Sequence, residues 1–133
     1  MYMKNKILLI EDDEAIIEIY KIALGKAGFK VEVISLGEKA KEKVKEMEQG
    51  KADKPDLVLL DLVLPDMNGI KILEEIRKQK TTKDLPVFVL TNYTDRELEK
   101  IGNYLKSERY LLKANFTPTQ LVEIIKERLG KKK

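Results

Sequence analysis

A chain of 133 residues with a formal net charge of +3 is the size of one domain with a substantial core, and that charge is too small and too evenly spread for nucleic-acid binding, which calls for a basic stripe. With no cysteine and no histidine, disulfides, thiolate chemistry and the usual neutral-pH base are excluded, and any metal must be held by oxygen, which favours Mg2+, Ca2+ or Mn2+. No apolar run is long enough to span a membrane and no signal peptide is evident, so the cytoplasm is the expected location, with no membrane partner.

Lys6 to Ile10 reads as a first buried strand, followed at once by Glu11, Asp12, Asp13 and Glu14. From Ala15 the apolar period becomes helical through Ile16, Ile19, Tyr20, Ala23, Leu24 and Ala27, and Gly28 ends the helix. Val31 to Ile34 is a second strand. Ser35-Leu36-Gly37-Glu38 then has the pattern of a capping box, in which the serine oxygen and the glutamate would satisfy orphan amides at a helix start. The helix after it turns Ala40, Val44 and Met47 inward, and Gln49 to Pro55 is a polar connector. Leu57 to Leu60 is the third strand: a dense apolar run bounded by a carboxylate, Asp61, and a Pro65/Asn68/Gly69 turn, as in a strand buried on both faces of a parallel sheet. A helix from Gly69 carries Ile70, Leu73 and Ile76 on one face. Pro86 opens the fourth strand, Val87 to Leu90. Thr94-Asp95-Arg96-Glu97 is a second capping box, starting a lean helix with Leu98, Ile101 and Leu105 inward and weakened by Gly102. Tyr110 to Leu112 is the fifth strand, and Thr117-Pro118-Thr119-Gln120 caps a last helix that buries Leu121, Ile124, Ile125 and Leu129.

Five strands alternating with five helices imply right-handed crossovers and an α/β fold: a parallel sheet with helices on both faces. The carboxyl ends of all strands then share one rim, where ligands bind in such sheets. Glu11, Asp12 and Asp13 follow the first strand, Asp61 the third, Thr91 and Asn92 the fourth, and Lys113 the fifth. Singly each has an ordinary explanation, since an acidic run after a strand usually starts a helix, a threonine there is usually a turn residue and a lone lysine is usually a solvated charge. Together, several carboxylates repel one another unless a cation offsets them, and a hard divalent ion with a lysine beside it suits an incoming phosphoryl group. Asp61 is then the nucleophile that forms an aspartyl phosphate.

Four motifs, in this order, carry a family resemblance: Ile-Leu-Leu-Ile-Glu-Asp-Asp-Glu from Ile7, Leu-Leu-Asp-Leu-Val-Leu-Pro-Asp-Met-Asn-Gly from Leu59, Val-Leu-Thr from Val89, and Tyr-Leu-Leu-Lys from Tyr110. Over nearly its whole length the chain resembles the receiver domain of two-component response regulators. The resemblance implies a flavodoxin-like, doubly wound three-layer sandwich with five parallel strands in the order 2-1-3-4-5 and five helices, with residues 5–130 as the receiver domain and 131–133 as a basic tail or linker stub. It implies that Asp61 accepts a phosphoryl group, that Asp12 and Asp61 bind Mg2+ (or Mn2+) with Glu11 acting directly or through a water, and that Val63 lends its backbone carbonyl. Thr91 matches the switch hydroxyl, Lys113 the lysine that pairs with the phosphoryl group, and Tyr110 the aromatic switch residue. Val63, Asn92 and Tyr93 occupy positions that tune access and phosphoryl lifetime. The bulk of Val63 and Tyr93 predicts a long-lived phosphoryl group, and Asn92 stands where a small residue is usual. Ala114 replaces the usual proline after the lysine, and because a non-proline cis bond costs about 3 kcal/mol a trans peptide is expected there.

The implied partners are a histidine kinase or phosphotransfer protein as donor and a downstream effector protein that reads the surface of the fourth helix, fifth strand and fifth helix. No direct contact with nucleic acid is implied, no catalysis beyond the domain's own phosphorylation and autodephosphorylation is expected, and the oligomeric state stays open between monomer and homodimer. A phosphorylation-independent scaffold and a Mg2+-dependent hydrolase on the same fold are the competing readings. No output domain is expected within the sequence, which stops after the fifth helix.

Overall fold

The structure, a computed structural model, describes residues 5–92, Arg96, Lys100 and 107–130. Its five parallel strands are β1 (Lys6–Ile10), β2 (Lys30–Ile34), β3 (Leu57–Leu60), β4 (Val87–Thr91) and β5 (Arg109–Leu112), in the order β2-β1-β3-β4-β5. Helices α1 (Glu14–Lys26), α2 (Gly37–Glu48) and α3 (Ile70–Lys78) and a C-terminal helix (Pro118–Gly130) are described with them, and a 3-10 turn covers Lys113–Asn115. The second capping box and the lean fourth helix predicted around Leu98, Gly102 and Leu105 fall outside the described residues, as do Tyr93 and the basic tail.

The central strands β1, β3 and β4 are almost wholly apolar because both sheet faces are covered, while the edge strands β2 and β5 carry charged residues. Alternate residues serve two cores, as the period of two along a strand requires. Leu8, Ile10, Val58, Leu60, Val87 and Val89 pack with Ala40 and Val44 of α2 and Ile72, Leu73 and Ile76 of α3. Ile7, Leu9, Leu57, Leu59, Phe88 and Leu90 pack on the other face with Tyr20 and Leu24 of α1 and Leu121 and Ile125 of the C-terminal helix. Every residue of β3 is fully buried, and each such side chain contributes about 1.5–3 kcal/mol relative to exposure. The covered parallel sheet is what the alternation predicts, and the three-layer, flavodoxin-like strand order is what the family resemblance implies.

The helix ends differ in how they follow from local sequence. Gly28, at φ +96°, takes the left-handed conformation just past α1, where a side chain would be strained. The C-terminal helix has its predicted reciprocal cap: the Gln120 amide donates to Thr117 Oγ1 at 3.1 Å and the Thr117 amide donates to Gln120 Oε1 at 2.9 Å. The predicted capping box at Ser35 does not form. The residue at the cap of α2 is Leu36, which has no side-chain acceptor, and Ser35 is exposed. The amides of Gly37 and Glu38 donate instead to the carboxylate of Asp66, at 2.8 and 3.0 Å, from the loop after β3. An ionised carboxylate outcompetes a hydroxyl for these amides, because charge-assisted hydrogen bonds are stronger and the helix amino end favours negative charge.

Candidate phosphoryl-acceptor site

Strand register assembles the rim. Ile10 of β1 lies beside Leu60 of β3, so the residues that follow, Glu11 and Asp61, emerge side by side; the Asp61 amide donates to the Ile10 carbonyl at 3.0 Å. Thr91 ends β4 opposite Leu112 of β5, and Lys113 is the next residue. Lys113 Nζ lies 2.9 Å from Glu11 Oε1 and 2.9 Å from Asp61 Oδ2. The peptide after Lys113 is trans, since the described residues contain no cis bond, and a 3-10 turn through Ala114 leaves the lysine in contact with both acids.

The second oxygen of each acid is also held. Glu11 Oε2 accepts from the Asp13 amide at 3.0 Å, and Asp61 Oδ1 accepts from the Val63 amide at 3.1 Å. Glu11 and Asp61 are 2% and 5% exposed, so they are nearly dry; Asp12 stands exposed at the mouth. Burial pushes the Glu11 carboxyl above its ordinary pKa and the Asp61 charge adds to this, against the lowering effect of Lys113 and the Asp13 amide. Burial alone would lower the pKa of Lys113, but its bonds to Glu11 and Asp61 outweigh that and hold it above the ordinary lysine value. The lysine is therefore a fixed positive charge at neutral pH.

Carboxylate oxygens of Glu11, Asp12 and Asp61 lie within 4.8 Å of one another. Such an all-oxygen donor set fits a hard divalent cation such as Mg2+ or Mn2+. Thr91 adds an independent feature: its Oγ1 is buried and has no hydrogen-bond partner among the described residues. A buried hydroxyl left unpaired costs free energy, so this one is free to bond an oxygen that enters the rim.

The other residues singled out in the sequence sort plainly. Asp13 is the cap of α1, its carboxylate accepting from the Ile16 amide at 3.1 Å, so it serves the helix rather than the cluster. Leu62 and Leu64 are buried while Val63 between them is 52% exposed, which puts its side chain at the mouth, and Asn92 is exposed. Tyr110 is half-buried and packs against the core that includes Val87 and Val89. Thr91, two residues on from Val89, shares that sheet face. Two residues were not legible as part of this region. Tyr20 reads as a core position of α1, yet it lies close enough to Lys113, Glu11 and Asp61 to feel their charges; burial is the main cause of its raised pKa. Asp66 reads as a turn residue and caps α2. Gly69 does follow from its turn: a Cβ there would lie 2.4 Å from the Asp61 carbonyl oxygen, so only glycine lets the chain close back on the acceptor.

Residues 7–126 match the family of the response regulator receiver domain. Over 127 residues the chain is 35% identical to the DNA-binding response regulator MtrA of Mycolicibacterium paratuberculosis, an alignment covering 96% of this chain and 52% of that protein. The chain thus spans about half the length of the curated relatives it matches. The phosphorylated cyanobacterial phytochrome response regulator RcpA has a similar crystal structure, with a TM-score of 0.79 and 31% identity over 95% of this chain and 91% of that one. The receiver domain of a sensor histidine kinase from Pseudomonas aeruginosa PAO1, solved with a magnesium ion coordinated in its active-site cleft, has a TM-score of 0.80 and 25% identity over 97% of this chain and 100% of that one. Strand order, the acidic rim and these likenesses agree, and the chain belongs to the response regulator receiver domains, the phosphorylatable signalling modules of two-component systems.

Proposed function

We propose that this chain, with residues 5–130 as its receiver domain, is the phosphoryl-accepting switch of a two-component or phosphorelay pathway, with Asp61 as the acceptor. The observation that carries the reading is the placement of Asp61: nearly dry, bonded to Lys113 and the Val63 amide, and grouped with Glu11 and Asp12 on a rim where the buried Thr91 hydroxyl has no partner among the described residues. In the reaction an oxygen of Asp61 attacks the phosphorus of a donor phosphohistidine. The phosphorus–nitrogen bond breaks, the imidazole nitrogen keeps the electron pair, and an acyl phosphate remains on the aspartate. Asp12 and Asp61, with Glu11 and the Val63 carbonyl, would hold Mg2+ or Mn2+, which when bound would offset the negative charge of the phosphoryl oxygens. Lys113 pairs with one of those oxygens and exchanges a carboxylate partner for it. The Thr91 hydroxyl donates to another, and Tyr110 on the same sheet face follows it inward.

The change in the surface made by the predicted fourth helix, β5 and the C-terminal helix is read by an effector protein, as a shift between two pre-existing states. A histidine kinase or phosphotransfer protein is the donor, and the module works in the cytoplasm without touching nucleic acid itself. Val63, exposed beside Asp61, limits access of water and, with the bulk that Tyr93 brings by sequence and the side chain of Asn92, lengthens the life of the acyl phosphate. Incubation with Mg2+ and a small acyl phosphate, followed by intact-mass measurement, tests the reading. The wild type gains the mass of one phosphoryl group and Asp61→Asn gains none; an equal gain in both, or none in the wild type, overturns it.

A further inference from the structure

We propose that Asp66 is a positioning residue for the metal: by capping α2 from the loop after Asp61, it holds that loop in the shape in which Asp61 and the Val63 carbonyl meet a divalent cation. The proposal rests on the metal-assisted phosphorylation of Asp61 given above. The loop from Asp61 to Gly69 is closed upon itself at its base, through the Gly69 amide donating to the Leu62 carbonyl at 2.7 Å and a bridge between Val63 and Asn68. Asn68 Oδ1 accepts from the Ile70 amide at 2.9 Å, which ties the loop to its own following helix. Asp66 and Met67 tie it to a different element. Both Asp66 oxygens take amides of α2, 29 and 28 residues away in sequence, and these amides hold its carboxyl below the usual pKa. Met67 fills the space above Gly37: a Cβ at residue 37 would fall 2.3 Å from its Cγ. The loop and the start of α2 therefore form one interlocked piece. Mg2+ demands near-ideal octahedral geometry, and a site must be held within about 0.5 Å of its working geometry. Releasing the tip of the loop would leave every ligand in place but no longer well aimed.

A cap also stabilises its helix, so the test must separate capping from positioning. Three variants do so: Asp66→Ala, Asp66→Asn, and Asp66→Ala combined with Leu36→Asp, which supplies a local acceptor at the cap position of α2. Stability is read by urea unfolding and Mg2+ affinity by titration calorimetry on the intact chain. Asp66→Ala is expected to weaken Mg2+ binding by roughly tenfold, the scale seen when a group supporting a metal ligand is lost. Its rate of phosphorylation by a small acyl phosphate recovers at saturating Mg2+. The double variant regains its urea midpoint while Mg2+ affinity stays weak, and Asp66→Asn, which keeps an acceptor oxygen, regains part of both. Mg2+ affinity unchanged in Asp66→Ala, or restored in step with stability in the double variant, overturns the proposal alone. A wild type that binds no Mg2+ overturns the reading of Asp61 together with it.

Discussion

Thr91 holds a buried hydroxyl with no partner among the described residues at the end of β4, while Lys113, just past the end of the neighbouring strand β5, has two. The two side chains are thus in opposite states of readiness: Lys113 must give up a carboxylate to meet a phosphoryl oxygen, and Thr91 has only to gain one. Thr91→Val should accordingly raise stability by about 1 kcal/mol, because it removes an unpaired buried polar atom without emptying the site. Urea unfolding of the unphosphorylated protein checks this, and a loss of stability would show that the hydroxyl is paired at rest. Asp61 and Lys113 were readable from the chain because each directly follows an apolar strand, and strand ends in a parallel sheet share a rim. Asp13 could not be told from Glu11 and Asp12 in that way. Whether an acid in such a run caps the helix or joins a cluster depends on which backbone amide it reaches, and three adjacent residues look alike until the helix start is placed.

Among the elements, β2 lies at the edge of the sheet and is its least buried strand. Glu32 in it is bonded by Lys43 of α2 at 2.9 Å and Lys6 of β1 at 3.0 Å. Partial burial alone would raise the Glu32 pKa, but the two lysines outweigh it and the carboxyl titrates below its ordinary range. A group whose pKa is lower in the folded chain than in the unfolded one stabilises above the unfolded pKa and loses that contribution as pH falls through the folded value. Glu32→Gln should therefore cost about 0.5–1 kcal/mol near neutral pH, the scale of a partly exposed ion pair. The gap between variant and wild type should close as pH falls below ~4. Urea midpoints measured across that range decide it, and a gap independent of pH would mean that packing rather than charge is lost. The helix caps show what is readable at this scale. Thr117 and Gln120 cap their own helix because both partners lie within one turn. Ser35 and Glu38 have the same spacing, but a carboxylate brought in from Asp66 takes the amides, and no local pattern reports that competitor.

At the scale of the whole molecule, the rim joins the ends of β1, β3 and β5, so anything that binds there ties distant parts of the chain together. A cation that binds only the folded chain stabilises it by RT ln(1 + [L]/Kd), about 2.7 kcal/mol at a hundredfold excess over Kd. Mg2+ should therefore raise the melting temperature of the wild type with increasing concentration. Asp12→Asn, which removes the exposed ligand at the mouth, should flatten that response. Thermal melts over a Mg2+ series read both, and an equal rise in the two proteins would point to a general salt effect instead. The central strands were legible because burial on both faces leaves continuous apolar runs, and the edge strand β2 because short apolar stretches alternate with helical periods along the chain. The acidic cluster was legible as a set of residues at strand ends. Folding alone settled that Glu11 and Asp61 share Lys113, that Asp13 turns away to cap α1, that the Thr91 hydroxyl is buried with no partner among the described residues, and that Asp66 joins the acceptor loop to α2. These outcomes depend on strand register and loop closure between residues far apart in the chain, where each polar group takes the best partner within reach, and local sequence does not say which partners those will be.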